Sequence, residues 1–372
     1  MVAGAGLVKR VLLAGGGTGG HLYPGLAVAD RLTREGVDCL FIGTRKGLES
    51  RVVPERGFPI RYVSARGLTK RPIALLKALA ALSWGTLQSL RILSSYKPQL
   101  VVGTGGYVSA PVVLAAALRG IASVVLEQNA VPGKTTRLLG RLARRVCVSF
   151  EESADHMPSA RVVVTGNPVN PAVVDQNRDE ARRSLNIPAG QPCLLVTGAS
   201  QGAKSLNDAV LKALSGWKDR PWTIIHLTGP GHFQAVRDQS LALLSEARLD
   251  YRPEGYRGEM AVAYAAADLV VGRAGATTIA ELTARGLPSV LVPYPHAAEG
   301  HQEKNAVALV GRGGAVLVKD HEVGERLEAL VESLLTSPER LAAMAAASAG
   351  MGRPEALQRI IEICREVTGS SL

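Results

Sequence analysis

Cysteine is scarce in this chain, and what there is forms no pattern. Cys39, Cys147, Cys193 and Cys364 are scattered, with no C-x-x-C pair and no metal-ligand spacing. A disulfide framework or zinc site is therefore excluded as the organising device, and all four are expected to be small buried residues in a reducing compartment. Aromatic residues make up only 4% of the chain, and no basic stretch is interleaved with them, so no nucleic-acid partner is expected. No apolar run approaches the roughly 18 residues of a membrane span, because Arg119 and Gly120 cut the longest candidate, near Val112–Leu118. The start lacks the apolar core of a secretory signal: Lys9 and Arg10 precede only Val11-Leu-Leu-Ala14 before a glycine loop. The chain is accordingly expected to remain in the cytoplasm.

What is present is apolar, glycine-punctuated and unevenly charged. Hydrophobic residues at 47% and charged residues at 20% over 372 residues exclude a disordered chain and favour two domains of ordinary size. Residues 1–166 hold 22 Lys/Arg against 9 Asp/Glu, and residues 167–372 hold 21 against 23. All the excess positive charge thus lies in the first half, as an anionic substrate or an anionic membrane surface would require.

Three glycine-rich stretches stand where an apolar β-like run gives way to a helical pattern: Ala14–His21, Gly103–Pro111 and Gly198–Lys204. Such a junction leaves backbone N–H groups at a helix N-terminus, turns the positive end of the helix dipole to a ligand, and lets an anion approach closely. The first half alternates strands at Val11–Ala14, Cys39–Ile42, Leu100–Val102, Ser123–Leu126 and Val146–Val148 with helical patterns. After a proline-rich linker at Pro168–Pro188 the alternation restarts at Cys193–Val196, Thr223–Leu227, Asp268–Val271 and Ser289–Val292. Two doubly wound parallel sheets of α/β class follow from this order. Glu325–Ala347 reads as one helix, and Glu355–Val367 as a final amphipathic helix set off by Gly350–Pro354. The predicted division is 1–166, with helix 354–372 packing back on it, and 167–353.

A dehydrogenase fingerprint would place an acidic residue at the end of the second strand. This chain has Ile42-Gly-Thr-Arg45 there. The first loop instead ends in His21, which offers either a proton-accepting ring nitrogen or only a hydrogen bond to the loop. Gly-Gly-Thr-Gly-Gly-His21, Gly105-Gly-Tyr-Val-Ser109, Glu127-Gln-Asn129, Gly166-Asn-Pro-Val169, Ser200-Gln-Gly202, Arg273-Ala-Gly-Ala-Thr-Thr-Ile-Ala-Glu281 and His301-Gln-x-x-Asn305 together resemble the bacterial peptidoglycan N-acetylglucosaminyltransferases, from about Val11 to the C-terminus.

The resemblance implies a GT-B fold: two Rossmann-like domains facing a central cleft, the first for the acceptor and the second for the donor, UDP-N-acetylglucosamine. It implies transfer of N-acetylglucosamine, with inversion, to the 4-hydroxyl of undecaprenyl-diphosphate-linked MurNAc-pentapeptide, converting lipid I to lipid II. His21 is then the first candidate for the base and Glu127 the second. Gly16, Gly17, Gly105, Gly106 and Tyr107 fall to the acceptor. Thr18, Gly19, Gly20 and Asn129 reach toward the donor sugar, and Ser200, Gln201 and Gly202 suit the UDP phosphates. Ala276, Thr277, Thr278, Ile279 and Ala280 line the ribose and uracil, with Arg257 near the uracil edge. Glu281 accepts from the ribose hydroxyls or caps its helix, and Gln302 and Asn305, on one helix face, hydrogen-bond the sugar. No Asp-x-Asp pair occurs in the chain, so no metal or other cofactor is expected. Asn170 stands where the family usually has arginine near the UDP phosphates, and Leu126 stands where histidine is common.

The segment Lys70–Leu93 is apolar on two sides, with Leu75, Leu79 and Leu82 on one and Ile73, Leu76, Trp84 and Leu87 on the other. Either it is buried on both sides, or Leu75, Leu79 and Leu82 form a membrane patch with Lys70, Arg71 and Lys77 at the headgroups. The expected location is the cytoplasmic side of the cell membrane, as a peripheral protein, with cell-wall and division machinery as candidate partners. The rival readings are a UDP-GlcNAc 2-epimerase and a non-catalytic nucleotide-sugar scaffold.

Overall fold

The computed structural model describes residues 8–67, 72–157, 159–244 and 247–369; Lys70 and Arg71, expected at the headgroups, lie outside them. The chain divides between Val169 and Asn170, and again between Pro354 and Glu355, into two compact units, the final helix returning to the first. Asn167–Val169 therefore belong to the first unit, beyond the boundary expected from the sequence.

Continuous runs of branched and aliphatic residues form the central strands, because a parallel sheet is covered on both faces. The first unit runs β1 (Arg10–Ala14), α1 (Gly19–Arg34), β2 (Asp38–Gly43), α2 (Glu49–Glu55), β3 (Ile60–Tyr62), α3 (Pro72–Tyr96), β4 (Leu100–Gly103), α4 (Gly106–Leu118), β5 (Ala122–Glu127), α5 (Lys134–Leu139), β6 (Arg145–Val148) and β7 (Val162–Val164). The second runs α6 (Pro171–Asp175), α7 (Arg178–Ser184), β8 (Cys193–Thr197), α8 (Lys204–Trp217), β9 (Thr223–Leu227), α9 (Phe233–Leu243), β10 (Asp250–Glu254), α10 (Met260–Ala266), β11 (Leu269–Gly272), α11 (Ala276–Ala284), β12 (Ser289–Leu291), α12 (His301–Gly311), β13 (Ala315–Leu317), α13 (Val323–Leu335) and α14 (Pro338–Met351). Helix α15 (Ala356–Thr368) closes the chain.

Among the described residues the first sheet is ordered β3-β2-β1-β4-β5-β6-β7 and the second β10-β9-β8-β11-β12-β13. All pairings are parallel. In each sheet the order reverses beside its first strand, between β1 and β4 and between β8 and β11. Loops leaving two such strands diverge, and ligands of these folds bind in the crevice this opens. The three glycine loops leave β1, β4 and β8.

Four strands were not legible in the sequence: β3, β7, β10 and β13. Each is an edge, and each is at least partly exposed along most of its length. An edge strand needs no two-sided apolar run, and β10 even accommodates Pro253. The expected linker 168–188 contains two short helices, capped by the Asn170 and Asn177 side chains, which accept the Ala172 and Glu180 N–H groups. The expected single helix 325–347 is two, because Pro338 in the first turn of α14 cannot continue α13.

Helix α15 buries Ile360, Ile361, Ile363 and Cys364 in the core that β1, β2, β4 and β5 share with α1. Arg365 on α15 also pairs with Glu35 at the end of α1. The four cysteines are all buried and unpaired, and burial pushes the Cys39 thiol up to about 11. Helix α3 packs through small residues: Ala78, Gly85 and Ser89 are buried, and a methyl on Gly85 would lie 2.1 Å from the Ser64 carbonyl. The residues Ile73–Tyr96 are long and apolar enough to cross a membrane by length and composition alone, although Lys77 interrupts the apolar run. Ile73, Leu76, Trp84 and Leu87 are half exposed or more, Leu75 and Leu79 somewhat less, and Leu82 is half-buried. The two-sided burial considered from the sequence is therefore not what forms, and the more exposed side is that of Ile73 and Leu76.

Candidate active site

In the first unit the loops after β1 and β4 are locked together. The Ala14 carbonyl accepts from the Thr104 N–H at 2.8 Å and from the Ser109 hydroxyl at 2.7 Å. His21 lies in the first turn of α1, partly exposed, with its ring against Gly105 and Gly106. Gly105 takes φ +93°, and a methyl there would stand 2.8 Å from His21 Nδ1, so both conformation and space demand glycine. His21 Nδ1 lies 3.0 Å from Gln128 Oε1, and Gln128 Nε2 donates to the Thr104 carbonyl at 3.0 Å. Thr18 and Gly20 are exposed at the start of α1, where the first intrahelical bond closes from Leu22 to Thr18. The amides of Gly19 and Gly20 therefore precede the helical ladder, as an anion site at a helix start requires. Tyr107 is half-buried beside Gly17.

Two buried carboxylates shape these loops. Glu49, which the sequence reading passed over, is fully buried and accepts from the Gly17 N–H, the Thr44 N–H and the Thr44 hydroxyl, each at 2.8 Å. Methyls on Gly16, Gly43 or Gly47 would each come within 2.4 Å of its side chain. The Gly17 amide, expected to serve the acceptor diphosphate, is thus already engaged. Glu127, the second candidate for the base, is 2% exposed, and both its oxygens are taken. Oε1 accepts from Asn129 N and Nδ2, and Oε2 from the Gly133 N–H at 3.2 Å. That carboxylate orders the loop after β5, and Asn129 is bound to it.

In the second unit Ser200 and Gln201 are exposed on the loop from β8 into α8, and Gly202 takes φ +75° against the Thr228 carbonyl. Beneath that loop His226 is fully buried between the Tyr251 hydroxyl at 2.7 Å and Asn207 Oδ1 at 3.0 Å, and Asn207 Nδ2 donates to the Thr228 carbonyl. Burial holds His226 neutral, with its pKa lowered to about 3. Arg273, before α11, ties Asp320, Ser205 and the Val292 and Pro293 carbonyls together. Neither network was foreseen, because each joins residues from separate elements.

Glu281 stands a turn and a half into α11, partly buried, with Oε2 accepting from the Tyr264 hydroxyl at 2.9 Å. Burial pushes its carboxyl up to about 7, against the lowering effect of that bond. It is too deep in the helix to cap it. Thr277, Thr278 and Ala280 are half-buried, but Ala276 and Ile279 are buried in the core, so those two can meet a ligand only through backbone. Asn305, expected at the sugar, is fully buried and donates to the Ala274 carbonyl at 3.4 Å. Gln302 Oε1 accepts from the Tyr294 N–H at 2.8 Å, which leaves its amide nitrogen for a ligand. Arg257 pairs with Glu254 at the end of β10. Asn170 is exposed and caps α6.

Two doubly wound parallel units, each opening small-residue helix N-termini at its switch point, make up the GT-B fold, and the family that matches both makes the chain a glycosyltransferase. The chain belongs to glycosyltransferase family 28: the family's N-terminal domain matches residues 11–148 and its C-terminal domain residues 193–360. It is 45% identical, over 97% of its length and 99% of the relative's, to the UDP-N-acetylglucosamine–N-acetylmuramyl-(pentapeptide) pyrophosphoryl-undecaprenol N-acetylglucosamine transferase of Desulforudis audaxviator. It is 46% identical to the enzyme of that name from Moorella thermoacetica, over 95% of this chain and 98% of the relative. The crystal structure of Acinetobacter baumannii MurG superposes with a TM-score of 0.78 at 31% identity, covering 96% of this chain and 99% of that one.

Proposed function

We propose that this chain transfers N-acetylglucosamine from UDP-N-acetylglucosamine to the 4-hydroxyl of the undecaprenyl-diphosphate-linked MurNAc-pentapeptide, with inversion at the anomeric carbon. What carries the reading is identity of 45% and 46%, over nearly the whole chain, to two enzymes named for that reaction. His21 is the base: it is partly exposed at the joined β1 and β4 loops, whereas Glu127 is buried with both oxygens occupied. It removes the hydroxyl proton as the oxygen attacks the anomeric carbon and the bond to UDP breaks. Backbone amides at the start of α8, with Ser200, meet the leaving diphosphate, and the helix dipole offsets its growing charge without a metal ion. Glu281 accepts from the ribose hydroxyls.

The acceptor's lipid stays in the bilayer, so the enzyme works at the cytoplasmic leaflet as a peripheral protein. The exposed Ile73, Leu76, Trp84 and Leu87 of α3 enter the interface, and the basic first half supplies attraction to anionic lipid. Partners in cell-wall synthesis and division would meet it there. The deciding experiment measures UDP release from UDP-N-acetylglucosamine with and without a lipid I analogue. Acceptor-dependent release with a new GlcNAc–MurNAc linkage is expected. Acceptor-independent UDP release would indicate an epimerase-like reaction, and binding without turnover a scaffold; either overturns the proposal.

A further inference from the structure

We propose that Gln128 is a positioning residue that holds His21 with its ring hydrogen on Nδ1, so that Nε2 is the nitrogen that receives the acceptor's proton. The inference rests on His21 being the base. Gln128 is 2% exposed, just beyond β5, and its amide spans two fixed groups. Its Nε2 donates to the Thr104 carbonyl at 3.0 Å, and its Oε1 faces His21 Nδ1 at 3.0 Å. The Thr104 carbonyl can only accept, so turning the amide over would set two oxygens against each other. Thr104 is itself held, its N–H donating to Ala14 at 2.8 Å and its side chain against Gly15. With Oε1 fixed as the presented atom, the bond to His21 exists only if Nδ1 carries the hydrogen, and a neutral imidazole then has its lone pair on Nε2.

Gly105 and Gly106 also lie against the ring, where added methyls would come within 2.8 Å and 3.2 Å of its atoms. Gln128 lies 107 residues from His21 in sequence, and the two meet because β5 and β1 both border β4. Unlike a carboxylate, the amide orients the ring without placing a charge beside it.

The test uses the full-length enzyme labelled with ¹⁵N-histidine, the His21 signals being assigned by their loss in His21→Ala. Wild type should show hydrogen on Nδ1, and Gln128→Leu should lose that preference. Gln128→Leu should also lower kcat about tenfold or more, with the KM for UDP-N-acetylglucosamine within about twofold. In a His21→Ala background, Gln128→Leu should cost nothing further. A wild-type ring carrying hydrogen on Nε2, full kcat in Gln128→Leu, or an additive loss in the His21→Ala background would each overturn the proposal. Full activity of His21→Ala would instead overturn the base assignment, while the ¹⁵N spectrum would still report whether Gln128 sets the tautomer. Gln128→Asn, which keeps the amide but shortens its reach, repeats the kinetic test should the leucine variant fold poorly.

Discussion

Replacing Glu281 by glutamine should remove one contribution to the pH dependence of the second unit's stability. In the folded chain, burial pushes the Glu281 carboxyl up to about 7, and the Tyr264 hydroxyl, 2.9 Å from Oε2, only partly offsets this. In the unfolded chain a glutamate titrates near pH 4.3. Between those values the folded protein keeps a proton that the unfolded one has released, so this group's contribution to stability is full below about pH 4 and is lost as pH rises through 7. The window spans roughly two and a half pH units, which at 1.36 kcal/mol each is about 3 kcal/mol. Glutamine has nearly the same shape, can still accept from Tyr264, and does not titrate. Urea unfolding followed by the fluorescence of Trp217 and Trp222, both buried in the second core, should show the Glu281→Gln gain in stability growing by about 3 kcal/mol between pH 4.5 and pH 8. The ribose role gives a second reading with uridine, which has the hydroxyls and no titrating phosphate. Its affinity for wild type should rise with pH up to about 7, as the carboxylate forms. For the variant it should be flat and weaker by about 2 kcal/mol at pH 8. A stability difference equal at both pH values would refute the raised carboxyl, and a flat wild-type uridine profile would refute the ribose contact.

Other outcomes test the first unit and the leaving group. His21→Ala should lower kcat about 100-fold or more, with UDP affinity nearly unchanged, as read by calorimetry beside turnover. Gly105→Ala, at φ +93° and 2.8 Å from His21 Nδ1, should cost about 1–2 kcal/mol of stability and lower kcat by displacing the ring, with both measured on one preparation. Excess EDTA should leave turnover within about twofold, and loss with rescue by magnesium would refute metal independence. Serine at Ile73, Leu76 and Leu87 together should release the protein from anionic vesicles and slow reaction with a long-chain acceptor. It should spare a short, water-soluble analogue, and equal loss on both acceptors would refute the docking role.

Local pattern was enough for the parts of this protein whose environment is uniform. The central strands of both sheets are buried on both faces, so each had to be a continuous apolar run, as Leu100–Val102 and Cys193–Val196 illustrate. The glycine loops were equally legible, because positive φ and close backbone approach leave a residue no alternative at positions such as Gly105. Strand, loop and helix recurring in that order twice determined the fold class and set His21, Ser200 and Glu281 on the segments that follow strands, while the switch points came from the sheet order. Edge strands β3, β7, β10 and β13 escaped because one side of each lacks a neighbouring strand and imposes no pattern. The exposed side of α3 escaped because its period is apolar nearly all round, and only packing of Ala78, Gly85 and Ser89 against its neighbours chose which side was covered. Tertiary structure alone decided which polar groups are available for chemistry. Glu49 takes the Gly17 amide, Glu127 is closed by its own loop, Asn305 is buried under Ala274, and Tyr264 and Gln128 reach Glu281 and His21. A hydrogen bond between residues about a hundred positions apart leaves no periodic trace in sequence; it exists only once assembly of the sheet brings their strands side by side.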